Sequence, residues 1–325
     1  MVGTLRYPDR ASVGDNTTRI RRAARRVNGV LLLDKPVGIT SNAALKRAKT
    51  LFGAAKAGHT GTLDPLASGL LPVCLGEATK FSNLLLGADK TYEADVRLGV
   101  TTTTGDLEGE IIRTVALAVE RAEVEHVVRQ FVGEIRQVPP MFSAIKYHGK
   151  PLYRYARAGR EVPRRARVVS VSEIVVCSFG GDLLRIIVRC SKGTYMRVLA
   201  EDIGRALGCG ACVARLRRTA VGHLDLGPLS VSLSRLEAMS AEERQDSLMP
   251  PDALAGTLPG VTLEPSQTRR ILAGQAVKSE AMQRCGLVRL YGGERGFLGI
   301  GEITGDGEIV PRRLVADLRP SAPIT

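Results

Sequence analysis

Residues 56–80, KAGHTGTLDPLASGLLPVCLGEATK, hold one aspartate, Asp64, between a glycine-rich turn and an apolar run. Gly58, Gly61 and Gly69 open backbone angles that other residues resist, and Pro65 fixes the position after the aspartate. Leu70, Leu71, Val73 and Leu75 then read as a buried strand. The pattern predicts a rigid loop that presents Asp64 at the start of a core strand. A lone aspartate in a turn is ordinarily a cap or turn former, so only the whole 25-residue context raises Asp64 above that role.

The same region carries a competing signal. Residues 53–60, GAAKAGHT, have the glycine spacing and terminal threonine of a phosphate-binding P-loop. His59 stands where that motif needs a permanently charged lysine on the terminal phosphates, and Gly61 and Pro65 follow instead of an unbroken helix. Both features argue against a nucleoside-triphosphate site.

At 325 residues with 44% hydrophobic side chains, the chain can bury a sizeable core, and its length suits a large domain with a smaller one. Lys and Arg number 46 against 33 Asp and Glu, a formal charge of +13, which suits a polyanionic partner held through phosphates. Charge alone does not separate RNA from DNA or an acidic protein. No apolar run approaches the about 20 residues that span a bilayer, and residues 1–26 are polar with seven Arg. These features predict a soluble, cytoplasmic protein with a flexible basic N-terminal tail. The six cysteines are scattered, and the one close pair, Cys209 and Cys212, lacks a second pair or a histidine at ligand spacing, so no metal is expected.

Residues 58–71, GHTGTLDPLASGLL, resemble the catalytic loop of the TruB family of tRNA pseudouridine synthases. Similar blocks follow the family order at residues 29–41 (GVLLLDKPVGITS), 90–99, 138–155, 190–197 and 216–218, so the resemblance covers nearly all of residues 27–225. It implies an α+β fold: a catalytic domain over residues 27–252 with a mixed, mainly antiparallel sheet flanked by helices. From residue 258 to 320, short apolar runs alternate with glycine-rich turns, a pattern assigned to a small PUA-like β-barrel that binds RNA.

Around the loop, residues 30–33 read as a strand, Ser41 as the cap of a helix over residues 42–52, and Gly53 as its stop. Residues 77–86, 119–132 and 236–248 read as helices. Residues 90–98 alternate, placing Tyr92 on the inward face with Ala94, Val96 and Leu98. An inward tyrosine is by default a core residue; the resemblance makes Tyr92 the ring that stacks on the target base, available as a proton acceptor. Residues 146–167 interleave Lys and Arg with Tyr, a mixture that suits looped RNA, with Lys146 a candidate contact.

The resemblance further implies Asp64 as nucleophile, Arg197 as its ion-pair partner, and Tyr195 and Leu216 as walls of the uridine pocket. An adjacent cation would keep the carboxylate ionised. His59 is a candidate to wedge into the RNA loop, and Lys35 and Lys192 are candidate substrate contacts. Arg217 and Arg218 are expected to point at RNA or solvent. The implied reaction is isomerisation of uridine 55 in the T loop of tRNA, by flipping the base out, with tRNA (T loop and stem) as partner, no cofactor and no obligate protein partner. Three alternatives stay open: a guide-RNA-dependent synthase of the dyskerin type, which shares the catalytic blocks; a tRNA-folding RNA-binding protein; and a P-loop NTPase, against which the missing lysine argues.

Overall fold

A computed structural model describes residues 27–278 and 285–316. The expected N-terminal tail and the last residues of the 258–320 segment lie outside the described residues. Ten strands form the main sheet. Along its path lie Val231–Ser232, Gly29–Lys35, Ala67–Leu75, Ala211–Val221, Lys90–Leu98, Leu183–Cys190, Arg167–Gly180 and Gly133–Gln137. Two short strands, Ala57–His59 and Leu224–Asp225, pair beside this path. Val231–Ser232 runs parallel to Gly29–Lys35, and Ala211–Val221 runs parallel to Ala67–Leu75; the other pairings are antiparallel. The sheet is therefore mixed and mainly antiparallel, as expected.

Ala67–Leu75 is buried at every position, which explains its unbroken apolar sequence: both faces of the sheet are covered there. On one face Leu71, Val73 and Leu75 join Ala44, Ala48 and Phe52 of the Ser41–Phe52 helix, and Leu199 and Ile203 of the Met196–Ala206 helix. On the other, Leu70 and Cys74 pack with Phe81, Leu85, Leu254 and Ile300.

Several local expectations change. Thr40, not Ser41, caps the first helix, its hydroxyl accepting from the Ala43 N–H at 3.1 Å; Gly53 ends it in the left-handed conformation at φ 61°. Residues 77–86 do not make one helix but a 3₁₀ turn, Gly76–Lys80, and a one-turn helix, Asn83–Leu86. The amphipathic helix expected over 119–132 is confined to Arg121–Arg129. Residues 236–248 fall into two short helices, Leu233–Ala238 and Ala241–Asp246, because Ser240 restarts the chain with a capping box to Glu243.

The C-terminal sheet has five strands in the order Gly260–Thr262, Gly286–Tyr291, Phe297–Ile303, Glu308–Leu314 and Val277–Lys278, with a separate core around Ile271, Val288, Leu290 and Leu298. It includes an unanticipated helix, Pro265–Leu272, whose capping box joins Glu264 and Gln267. This unit is PUA-like. It meets the short turns that cover the main sheet through an edge-on contact of Phe81 with Phe297, ring centroids 5.3 Å apart, and through the Tyr291 hydroxyl, which donates to Asp252 at 2.7 Å.

Candidate active site

The Asp64 loop is held from several sides. Ser41 reaches it from the first turn of its helix: its hydroxyl accepts from the Leu63 N–H at 2.7 Å and donates to the Leu63 carbonyl at 2.9 Å. The Gly38 N–H donates to the Pro65 carbonyl at 2.8 Å, and Ala67 N–H to Asp64 O at 3.1 Å. Gly69, at φ 105°, lies so close to the neighbouring strand that a Cβ there would stand 2.2 Å from the Arg218 carbonyl oxygen. Only glycine lets the two strands approach in this way. Replacing Ser41 with Ala strands both Leu63 backbone groups in a buried setting; we expect a loss of about 1–3 kcal/mol in urea unfolding and a slower reaction.

Asp64 projects from this loop with 37% of its side chain exposed and meets Arg197, whose Nη2 lies 2.8 Å from Oδ2. Arg197, at the start of its helix, is 4% exposed. It also donates to the carbonyls of Thr104 at 2.9 Å and Phe142 at 2.8 Å, and its Nε lies 3.6 Å from the buried Asp106 carboxylate. Asp106 is in turn fixed by the Glu108 N–H at 3.1 Å. The guanidinium therefore ties three chain segments to the Asp64 carboxylate in one orientation.

Asp64 and Arg197 line a cavity of about 250 Å³ with Tyr92, Leu216, Tyr195 and Arg218. This is below the about 300–1,000 Å³ of sites that take drug-sized ligands and suits a single nucleoside. Strand register builds its floor: Tyr92 pairs with Arg218, Ala94 with Leu216, and Leu216 with Ala67. Leu216 and Arg218 point to one face of their strand while Arg217 points to the other. Arg217 is consequently an ion-pair partner of Asp34, at 2.7 Å. Arg218 is the larger correction: it is no surface side chain but a 1% exposed one in the wall of the cavity, donating to the carbonyls of Leu70 at 2.8 Å and Gly61 at 3.1 Å. Burial raises the pKa of Tyr92, and the Arg218 charge opposes that rise. Burial likewise raises the pKa of Tyr195.

The other candidates divide. Lys192 is exposed and lines the cavity, whereas Lys146 is exposed on a short hairpin outside it. His59 lies on the Ala57–His59 strand before the loop, with Nδ1 accepting from the Gly61 N–H at 3.4 Å; burial and the Arg218 charge lower its pKa. Lys35 is fully buried, neither a solvated turn lysine nor open to phosphate, because its ammonium donates to the carbonyls of Pro36 and Ile39, both at 2.8 Å. Sequence reasoning did not single out Arg218, Lys90 or Asp106 for the site. The one aspartate of residues 101–109, TTTTGDLEG, set between two glycines after a run of threonines, was the available signal for Asp106.

Burial, first, lowers the Lys35 pKa to about 8, against the opposing pull of Asp64. The folded state then sheds this proton near pH 8 and the unfolded chain near 10.5, so between those values the unfolded state binds more protons and stability rises with pH. Relative to Lys35→Met, the wild type should gain stability between about pH 8 and 10.5 in paired urea titrations. An unchanged difference would contradict the burial described.

Residues 49–196 match the family model described as TruB family pseudouridylate synthase (N terminal domain). Residues 197–258 match the tRNA pseudouridylate synthase B C-terminal domain, and residues 259–315 match Pseudouridine synthase II TruB, C-terminal. A protein from Methylobacillus flagellatus named tRNA pseudouridine synthase B is 52% identical over 297 residues, covering 91% of this chain and 98% of that protein. One of the same name from Aromatoleum aromaticum is 53% identical over 298 residues, covering 92% and 96%. Among solved structures, a Cbf5–Nop10–Gar1 complex contains a chain that matches with TM-score 0.67 and 28% identity, over 90% of this chain and 85% of that one. A fold carrying this cavity at the centre of its mixed sheet is that of a pseudouridine synthase, an isomerase. The chain belongs to the TruB family.

Proposed function

We propose that the chain is a stand-alone tRNA pseudouridine synthase that isomerises uridine 55 in the T loop, with Asp64 as nucleophile. The observation that carries the reading is the Asp64 carboxylate, held by a buried arginine at the mouth of a nucleoside-sized cavity. The tRNA substrate is supported by the names of relatives 52–53% identical over nine-tenths of the chain. In the reaction the N1–C1′ bond breaks, the uracil turns, and a C5–C1′ bond forms; the C5 proton leaves and N1 gains one. The product is an isomer, so the balance needs no oxidant, reductant or added group.

Asp64 attacks either C1′ of the ribose or C6 of the base, and in both cases its fixed orientation removes much of the entropic cost. Tyr92 and Leu216 hold the base, and Tyr195 closes the side. Burial raises the Tyr92 pKa overall and holds the phenol neutral at rest; the adjacent Arg218 charge works against that rise and is the group that would stabilise the phenolate in a step where this ring takes the C5 proton. A stacked loop uridine reaches such a cavity only by being flipped out, and His59, neutral and just ahead of the loop, is the side chain we assign to fill the gap. Lys192 and Lys146 meet phosphates as cations on the surface. Residues 27–252 form the catalytic unit, and residues 258–320, described as far as 316, a second RNA-binding unit. No helix among the described residues is long and apolar enough to cross a membrane, and the tRNA substrate points to the cytoplasm.

The guide-dependent reading has one observation in its favour: the solved neighbours include complexes named for several subunits. One experiment separates the two. Purified protein is incubated with an unmodified tRNA transcript and no other RNA or protein, and pseudouridine is mapped by carbodiimide-blocked primer extension. We expect a single stop at the T-loop uridine. Binding without any stop, relieved by adding a guide RNA and partner proteins, would overturn the stand-alone reading.

A further inference from the structure

Lys90 opens the strand Lys90–Leu98 in the middle of the main sheet, opposite Cys190 on one side and Val221 on the other, and is 7% exposed. Its ammonium donates to the carbonyls of Ala88 at 2.5 Å, Leu86 at 3.0 Å and Leu85 at 3.4 Å. A lysine has three N–H donors, and here all three converge on one turn. That turn ends the helix Asn83–Leu86, a single turn too short to stand without tertiary support. Its cap residue, Gly87, has φ −81° and therefore makes no left-handed cap. Lys90 is the closure of this helix, a cation placed where unpaired carbonyls gather.

The same side chain reaches the catalytic loop. A Cβ added to Gly61 would lie 3.9 Å from Lys90 Cε and 3.5 Å from Arg218 Nη1, so the lysine stem and the guanidinium lie side by side beneath the loop. Leu86 lines the Asp64 cavity together with Lys90 and remains 41% exposed, an apolar lip at its rim. One buried side chain thus joins the lip, the loop and the strand that carries Tyr92.

We infer that Lys90 is a positioning residue for the isomerisation: its ammonium locks the 85–88 turn and holds the Leu86 lip over the uridine cavity. The inference rests on the reading of that cavity as the uridine site. The groups facing the ammonium are Arg218, Cys190, Asp89 and Lys192; burial, followed by the Arg218 charge, lowers its pKa to about 8. Above that value one N–H is lost and the lock loosens.

The test is single-turnover pseudouridine formation on a tRNA transcript from about pH 7 to 9, with tRNA affinity measured alongside. Lys90→Met should slow the chemical step about 10- to 100-fold, the scale expected from a misplacement near the reacting atoms, and change affinity less than about threefold. Leu86→Ala removes only the half-exposed lip and should slow the same step about tenfold without threatening the fold. Lys90→Arg keeps a permanent cation, so it should retain most of the rate and show a shallower alkaline decline than the one expected of wild type above about pH 8, to which Lys35, titrating in the same range, contributes equally in both proteins. Wild-type rates for Lys90→Met or Leu86→Ala, equal loss for Met and Arg at position 90, or one alkaline profile shared by wild type and Lys90→Arg would each overturn the inference. Asp64→Asn is run in parallel. An inactive Asp64→Asn beside fully active Lys90→Met and Leu86→Ala sinks this inference alone, whereas an active Asp64→Asn sinks the reading of the cavity.

Discussion

Asp64→Asn is expected to bind tRNA with nearly wild-type affinity and to form pseudouridine at least about 10⁴-fold more slowly. The substitution preserves volume and keeps an acceptor for Arg197, but an amide oxygen does not attack carbon as a carboxylate does. Asp64 is more than a third exposed, and Arg197 retains Asp106, Thr104 and Phe142 as partners, so the fold should hold. Filter binding and chromatography of nucleosides from digested tRNA measure the two halves of this expectation. Weakened binding in step with activity would place Asp64 in recognition instead of chemistry.

Arg197→Met carries the second large effect, and it falls on both stability and rate. The guanidinium and Asp106 are each 4% exposed, so removing the cation leaves a carboxylate buried without its charge partner. Breaking such a pair costs about 3–5 kcal/mol. The carbonyls of Thr104 and Phe142 lose their donor as well, and Asp64 loses the group that aims it. We expect a matching drop in unfolding free energy and a rate about 10²- to 10³-fold lower in the fraction that remains folded. Arg197→Lys should lie between, because one ammonium cannot span two carboxylates and two carbonyls set at the positions a planar fork reaches. Equal stability of all three proteins would contradict the burial of this network.

The main loop and its strand were legible because their signals are local. Gly61, Pro65 and Gly69 constrain the backbone in sequence, and the apolar run from Leu70 to Leu75 can only be a strand buried on both faces. Arg218 was not legible. In a pair such as Arg217-Arg218 one side chain must face inward, but which one depends on register with Tyr92 and Gly69 across two neighbouring strands. Ser41 shows the same limit: it looks like a cap, yet its hydroxyl serves Leu63, 22 residues away, while Thr40 caps the helix. Lys35 read as a candidate substrate contact, and only the folding of residues 36–39 back over it supplies the carbonyls that bury its charge. For the helix Pro265–Leu272 the signals were present, in Pro265 at its first position and the Glu264–Gln267 capping box, but the surrounding glycines drew the reading towards strands.

The central claim is that this chain alone turns uridine into pseudouridine through the Asp64 cavity. Because the reaction expels the C5 hydrogen, a tRNA transcript carrying tritium at uridine C5 reports it directly. We would incubate the purified wild type with that transcript, adding neither metal nor guide RNA, and follow tritium released to water beside Asp64→Asn. The account predicts release by the wild type that plateaus at one uridine per tRNA, with none above background from Asp64→Asn. Tight binding by the wild type with no release, or equal release by both proteins, would contradict it.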